Sequence, residues 1–416
     1  MVRRSPRNRR PRNPPQGPDM PVNAIALTWP PSAIHGWGVF GTNLLREVLH
    51  RGGIKPVTLF PMQEDFIAPG DRTLFQPLID EQRQIEAQLA EVQGNITLGG
   101  VHVLHSLGND LVEPAAAARF RGEPNVGFTF FENMTFAPDV VARNAHFQIM
   151  MAGSTWNAEI LRDLGFPRVG CVFQGVDTDA FSPSPKTGRF GDRFVVFSGG
   201  KLELRKGQDL VVAAFKRFHE RHPDALLVTV WLNPWPAIMQ DLAASPHVTT
   251  LPDINTPFPN CINDWVRDQG VPEGAHIDLS PTFNADMPVL LRECDAALFP
   301  NRCEGGTNLV AMEAMAAGLP CVLSANSGHL DLTGTDLSAN HRCYPLTRQS
   351  PVPFGPAGSE HWRESDIDEI VETLEAIYQD RSTAKSRGDG AHDFMQDWSW
   401  RNQIDRLLSE LDRLTP

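Results

Sequence analysis

The sequence predicts an α/β protein of two doubly wound domains facing each other across a cleft. Short apolar runs of strand character alternate with segments of helical periodicity, the pattern of mostly parallel sheets with helices on both faces. The alternation runs twice, interrupted at 182–192 by SPSPKTGRFGD, a Pro-, Gly- and Ser-rich linker stretch. A chain of 416 residues has room for two to three domains at about 100–200 residues each.

In chain order, residues 1–20 read as a disordered basic, proline-rich tail. Six arginines against Asp19 give that tail a charge of +5. Prolines follow the arginines where a signal peptide would have an apolar stretch. The tail is either an incidental solvated segment or a weak contact to an anionic membrane surface.

The first domain, 21–173, is expected to place strands at Ala24–Trp29, Pro56–Phe60, Val101–Leu107, Val126–Phe131, Phe147–Ala152 and Val169–Phe173. Its helices are expected at Thr42–His50, where Leu44, Leu45, Val48 and Leu49 have helical spacing, and at Asp80–Val92, with Ile85, Leu89 and Val92 on one face. A linker at 174–192 follows. The second domain, 193–390, is expected to hold strands at Phe194–Ser198, Leu226–Leu232, His276–Leu279, Ala296–Phe299 and Pro320–Ser324. Helices fit Gln208–Phe218, Pro288–Glu293 and Leu309–Ala317. The segment 391–416 ends in an amphipathic helix, about Asn402–Leu414, carrying Ile404, Leu407, Leu408, Leu411 and Leu414.

Composition excludes several classes. Hydrophobic residues make up 41%, enough for a sizeable core. The net charge is −13, which leaves −18 outside the tail and disfavours a surface that grips nucleic-acid phosphates. No apolar run approaches the roughly 18 residues that span a bilayer. The six cysteines form no CxxC pair and no zinc-spaced cluster, as expected of buried thiols in a reducing cytoplasm.

In open α/β sheets, ligands bind beyond the carboxyl ends of the strands, so the loops there carry the chemistry. In residues 193–218 a β-rich run ends in Ser198-Gly199-Gly200, followed by Lys201, Arg205, Lys206, Gly207 and a helix. The glycines allow close backbone approach, and two lysines five residues apart can converge on a diphosphate. The bland alternative is a solvated basic loop. In residues 297–328 a strand is followed by Glu304-Gly305-Gly306-Thr307-Asn308, then by a helix that starts at Leu309 and carries Glu313. A glycine-rich loop entering a helix suits an anion, and carboxylates beside it suit paired sugar hydroxyls. Either glutamate could instead be a helix-terminus charge, and Thr307 or Asn308 a plain N-cap. Asp177-Thr178-Asp179 has the look of a metal-binding DxD, yet it sits at the linker and reads as a turn. Gly36, Gly38 and Gly41 follow the first strand with GxGxxG spacing and are expected to form a flexible loop facing phosphate or sugar. The second strand ends Thr58-Leu59-Phe60-Pro61 without the ribose-binding carboxylate of a dinucleotide fold.

Taken together, four segments resemble the retaining family-four glycosyltransferases of the GT-B fold: the glycine loop at 36–41, QGVDTDAF at 174–181, GGKLELRKG at 199–207 and EGGTNLVAMEAMAAGLP at 304–320. Trp398-Ser399-Trp400 and the helix after it look like the family's terminal segment, which crosses back onto the first domain. The resemblance covers roughly residues 22–410. It implies that Lys201 and Lys206 bind a donor diphosphate. Glu304 would contact donor-sugar hydroxyls and Glu313 the ribose. Gly305, Gly306, Thr307, Asn308 and Leu309 would offer backbone contacts, as would Gly199, Gly200, Gly36 and Gly38. His105, near a strand end, would stand beside the reacting sugar, with Glu132 as a further cleft residue.

The chain departs from the family pattern in three places. Eight residues, not seven, separate Glu304 from Glu313. Gln174 replaces the commoner Asn. Asn233-Pro234-Trp235-Pro236 replaces a glycine-rich turn, at the head of a stretch, 233–283, that is longer than expected.

The function so implied is a hexosyltransferase-like, metal-independent transfer from a nucleotide-diphosphate sugar to an acceptor hydroxyl with retention of configuration. A UDP-sugar is the first donor, with GDP- or ADP-sugars as alternatives, and no cofactor is called for. The acceptor is open among glycan, lipid, protein and small molecule, and the oligomeric state is unassigned. The expected location is cytoplasmic, with peripheral contact at the inner membrane surface through the tail. Competing readings are a sugar-nucleotide epimerase, a phosphorylase, and a non-catalytic nucleotide-sugar-binding protein.

Overall fold

The computed structural model describes residues 22–33, 35–336 and 341–414, so the expected basic tail at 1–20 lies outside the described residues. The first sheet contains β1 (Ala24–Leu27), β2 (Lys55–Thr58), β3 (His102–Leu107), β4 (Asn125–Thr129), β5 (Ile149–Ala152) and β6 (Val169–Cys171). Its spatial order is β2-β1-β3-β4-β5-β6, with every pair parallel. The second contains β7 (Phe194–Gly199), β8 (Ala225–Val230), β9 (His276–Asp278), β10 (Ala296–Phe299), β11 (Cys321–Ser324) and β12 (Tyr344–Leu346). Its order, β9-β8-β7-β10-β11-β12, is also parallel throughout. The central strands are buried on both faces, which is why they read as continuous apolar runs. Each sheet reverses direction of travel once, between β1 and β3 and between β7 and β10, and a crevice opens at each reversal.

The longer helices are α1 (Gly36–Arg51), α2 (Arg72–Leu89), α3 (Thr155–Asp163), α4 (Gln208–His219), α5 (Asn260–Asp268), α6 (Leu309–Ala316), α7 (Ile367–Gln379), α8 (Arg381–Met395) and α9 (Trp400–Asp412). The first of these corrects an expectation. Residues 36–41 are not a loop but the opening turns of α1, capped by His35, whose Nδ1 accepts from the Gly38 N–H at 3.0 Å. The glycines there answer to packing. A Cβ on Gly38 would lie 2.0 Å from Ser32 Oγ, and one on Gly41 would lie 2.7 Å from the Trp29 indole nitrogen. Helix α2 starts eight residues before the expected Asp80 because Phe75, Leu78 and Ile79 are buried on its inner face.

Residues 233–283 hold a 3₁₀ segment (Pro236–Ala244), α5 and β9. The linker is anchored rather than loose. Glu293 accepts from the backbone N–H groups of Thr187, Gly188 and Arg189 and from the Thr187 hydroxyl.

Helix α8 packs with the second domain through Ala391 and Met395. The chain then crosses at 398–400: Val176 and Ser399 form a parallel bridge, with Val176 N–H to Trp398 O at 3.0 Å and Trp400 N–H to Val176 O at 3.2 Å. Gly175 has no room for a side chain, since a Cβ there would come within 2.5 Å of the Trp400 Cα. Ser399 caps α9 by accepting from Asn402 N–H. Trp400, Ile404, Leu407 and Leu411 then recur at helical spacing and bury in the first domain's core beside Phe40, Leu44 and Phe128. Leu407→Ala should therefore cost about 2–5 kcal/mol of stability by cavity formation. Arg401→Ala on the exposed face should stay within about 0.5 kcal/mol. Urea unfolding of both variants checks this, and equal effects would remove α9 from the core.

Candidate active site

A cavity of about 400 Å³ lies between the domains. From the first domain its wall takes His35 and Gly36 at the start of α1, Gly108 and Asn109 just past β3, and Glu132 after β4. The second domain contributes Gly199, Gly200 and Lys201 past β7, then Lys206, Glu304, Asn308 and Glu313. Both contributions come from the loops at the two sheet reversals, as the topology requires.

The floor is a compact charge cluster. Lys206 Nζ is 2.5 Å from Glu304 Oε1, and Arg205 Nη1 is 3.2 Å from Glu304 Oε2. Asn301 Nδ2 also donates to Glu304, and the Glu304 backbone N–H donates to Ser327 Oγ at 2.8 Å. Burial alone would push the Glu304 carboxyl up. Lys206 and Arg205 more than offset it and hold the group down at about 2, so it is an ionised acceptor at any working pH. Arg205 is shared further, with Glu203 at 2.5 Å and Glu132 at 3.4 Å. Burial raises the Glu132 carboxyl against the pull of Arg205.

Glu313 is different. It is buried in α6, and the Asn284 amide donates to its Oε1. Burial pushes its carboxyl up to about 8. Asn308 caps α6 from a left-handed conformation, φ 62°, its side chain accepting from Ala311 N–H. Asn308 Nδ2 donates to His329 Nε2 at 3.0 Å, which leaves the His329 Nδ1–H to donate to Ser324 O at 3.2 Å. Burial keeps His329 neutral, down at about 4, so the turn beneath the helix start carries no extra charge.

Lys201, Lys206, Glu304, Gly306, Asn308, Leu309, Glu313, Gly36, Gly199 and Gly200 all reach the cavity. Four others do not. His105 is fully buried inside the first domain, its Nε2 3.1 Å from Asn125 Oδ1 and its Nδ1 against Glu113. Strand β3 runs on to Leu107, so the residues that emerge at the cleft are Gly108 and Asn109. Gly38 faces Ser32, and Thr307 is buried with its hydroxyl on Met312 Sδ at 3.0 Å. Gly305 lies under the first domain. A Cβ there would come within 2.6 Å of the Phe130 and Phe131 carbonyls, and its own carbonyl accepts from Ser154 Oγ at 2.7 Å. The extra residue between the two glutamates is thus accommodated in a loop pressed against the opposite domain. Asp177 caps a turn, accepting from Asp179 and Ala180 N–H groups.

Comparison with known proteins fits this architecture. Residues 193–340 match the family model "Glycosyl transferases group 1", and residues 282–407 match "Family 4 Glycosyltransferase in conflict systems". Residues 193–407 thus carry the match to group 1 and family-four glycosyltransferases, and the two-domain architecture is the GT-B fold. Among curated proteins it is similar to a GDP-mannose-dependent alpha-(1-6)-phosphatidylinositol monomannoside mannosyltransferase of Mycolicibacterium smegmatis, 26% identical over 255 residues, 57% of this chain and 54% of that one. The Mycobacterium tuberculosis protein of the same name is 26% identical over 245 residues, with the same coverage. The chain's match thus spans about half the length of these relatives. Among solved structures, sucrose-phosphate synthase of Thermosynechococcus elongatus aligns with a TM-score of 0.61 at 14% identity, covering 94% of this chain and 99% of that one. Anabaena HepE, solved with UDP and glucose, aligns with a TM-score of 0.60 at 14% identity, covering 94% and 100%. These structures share the fold.

The least legible part of this site is what supports it. Arg302 is fully buried. Its guanidinium donates to both carboxylate oxygens of Asp209, at 2.9 and 2.6 Å, to Glu364 Oε2 at 2.6 Å and to Leu204 O at 2.6 Å. Its backbone N–H donates to Arg205 O at 2.8 Å. One side chain therefore ties the loop that carries Arg205 and Lys206 to the loop that carries Glu304. Asp209, one residue into α4, looked like an ordinary helix-start charge. The only sequence signal was an arginine inside an otherwise apolar, glycine-rich segment. Arg302→Ala should cost about 3–5 kcal/mol by leaving Asp209 buried without its cation, while Glu364 keeps only His247. Thermal melts check it, and a melting temperature within a degree of wild type would refute the role.

Proposed function

We propose that this protein moves a glycosyl group from a nucleotide-diphosphate sugar to an acceptor hydroxyl, with retention of configuration and without a metal. The observation that carries the reading is the convergence of Lys201, Lys206 and the ionised Glu304 from the loops after β7 and β10, facing one interdomain cavity.

The sugar becomes cationic in the transition state while the departing diphosphate gains negative charge. Lys201, Lys206 and the start of α6 would meet that diphosphate charge. Glu304 balances the Lys206 charge and holds it in register with the loop after β10. Glu304, kept ionised, would accept from sugar hydroxyls. Glu313 would accept from the ribose, and the first-domain wall at Asn109 and Glu132 would face the acceptor.

GDP-mannose is worth screening beside UDP-sugars as a donor, and a lipid-linked molecule as an acceptor, because the mycobacterial relatives are named as GDP-mannose-dependent phosphatidylinositol monomannoside mannosyltransferases. An epimerase would instead form product with no acceptor, and a phosphorylase would depend on inorganic phosphate.

Lys206→Ala should lower the transfer rate on the order of 10²–10³-fold while leaving the circular dichroism spectrum unchanged. Full activity in that variant would remove the diphosphate assignment.

Glu313 adds a pH signature. Burial holds its carboxyl up at about 8, and ribose hydroxyls donating to it would favour the ionised form. Nucleotide binding should therefore release protons below about pH 8, and affinity should weaken as pH falls from 8 towards 6. Glu313→Gln should flatten that slope. Calorimetry in two buffers of different ionisation enthalpy reads the proton count. A pH-independent affinity in the wild type would place the ribose elsewhere.

A further inference from the structure

The two cavity lysines are held in opposite ways. Lys206 has its charge met by Glu304 at 2.5 Å. Lys201 has a carboxylate no nearer than Glu203 at 3.5 Å, and Glu203 is already committed to Arg205 at 2.5 Å. What faces the Lys201 ammonium is a neutral ring: Nζ lies 5.3 Å from the Trp235 ring centroid. Trp235 belongs to the Asn233-Pro234-Trp235-Pro236 turn that departs from the family's glycine-rich pattern.

The turn is built to hold that indole in place. Asn233 is buried and donates to Leu202 O at 2.9 Å, and the Trp235 N–H donates to Asn233 Oδ1 at 2.9 Å. Half of Trp235 remains exposed in the cavity wall, an unusual position for the largest apolar side chain. Across the cleft, the His35 ring at the start of α1 lies 6.1 Å from it. An ammonium on an indole face is oriented by the ring quadrupole but keeps its full charge. A carboxylate partner would have cancelled that charge.

We propose that Trp235 is a positioning residue that aims Lys201 into the cavity as the less compensated of the two cations for the donor's diphosphate. The proposal rests on the reading of Lys201 as a diphosphate ligand, which Lys201→Ala tests by itself.

The experiment is a double-mutant cycle read by calorimetric binding of UDP and GDP, using whichever the wild type binds. Lys201→Ala, Trp235→Ala, Trp235→Phe and the double alanine variant are compared, with thermal melts as the folding control. Trp235→Ala should weaken nucleotide binding about two- to tenfold, the range of a cation–π contact. Trp235→Phe should recover most of that loss, and the double variant should bind no worse than Lys201→Ala alone. In turnover the loss should fall on the donor KM more than on the acceptor KM. Independent, additive effects of the two alanines, or no rescue by phenylalanine, would overturn the role of Trp235. If Lys201→Ala itself leaves nucleotide binding unchanged, the diphosphate reading of the site fails, and this inference fails with it.

Discussion

The guanidinium of Arg302 is the constraint on which the second-domain side of the cleft depends. It lies behind the cavity wall, out of water, and meets the carboxylates of Asp209 and Glu364 while donating to the Leu204 carbonyl. The loops on either side of it, 204–206 and 302–304, supply Arg205, Lys206 and Glu304. Glu304 lies 2.5 Å from Lys206 and 3.2 Å from Arg205. A buried ion network adds little net stability over an apolar one of the same shape, but it tolerates few alternative geometries. Here that intolerance sets the register between two loops from different strands. The network continues outward to His247, whose Nε2 is 3.0 Å from Glu364. Glu364 holds the imidazole above its usual range.

The second constraint is the close approach of the two domains. Gly305 passes beneath the Phe130 and Phe131 carbonyls, and Ser154 donates to its carbonyl at 2.7 Å. Further along the same seam, Trp362 Nε1 donates to Glu132 O at 2.9 Å, and Thr155 N–H donates to Asp331 at 2.9 Å. These contacts cross from one sheet's strand ends to the other's. A donor held between them would be shielded from water, which suits a transfer that must avoid hydrolysis. The covalent links between the domains are few: the linker, pinned by Glu293, and the crossing at Val176–Ser399. A hinge made of such short, backbone-paired segments lets the cleft open with little cost to either core.

How much of this could be read beforehand varied by element. Strands β1 to β11 were visible as apolar runs because a sheet covered on both faces needs them. The short β12 was not, since Tyr344–Leu346 includes a proline and only Leu346 is fully buried. Helices α4, α6 and α9 were visible from periodicity. Helices α3, α5, α7 and α8 were missed among polar residues; α8 is rich in Ser, Arg, Asp and Gly and is held by neighbours rather than by propensity. The glycines at 36–41 showed the ambiguity of a residue without a side chain. Their spacing suggested a loop for phosphate, whereas two of them serve close packing under a helix.

The sequence by itself determined the two-domain α/β plan and the amphipathic last helix, while that helix's return and the gathering of the lysines and glutamates in one cleft were expected only through the resemblance to a known family. Hydrophobic period and short glycine-rich motifs are local properties, readable from neighbours along the chain. Only the tertiary structure decided which candidates meet. It turned His105 inward onto Glu113 and Asn125, and it put Gly108 and Asn109 at the cleft instead. It also made Arg302 the brace and Trp235 the companion of Lys201. Those outcomes depend on charges and rings from distant segments sharing a space of a few ångströms. Pairwise proximity of that kind is set by how the strands order and the domains dock, and no local pattern encodes it.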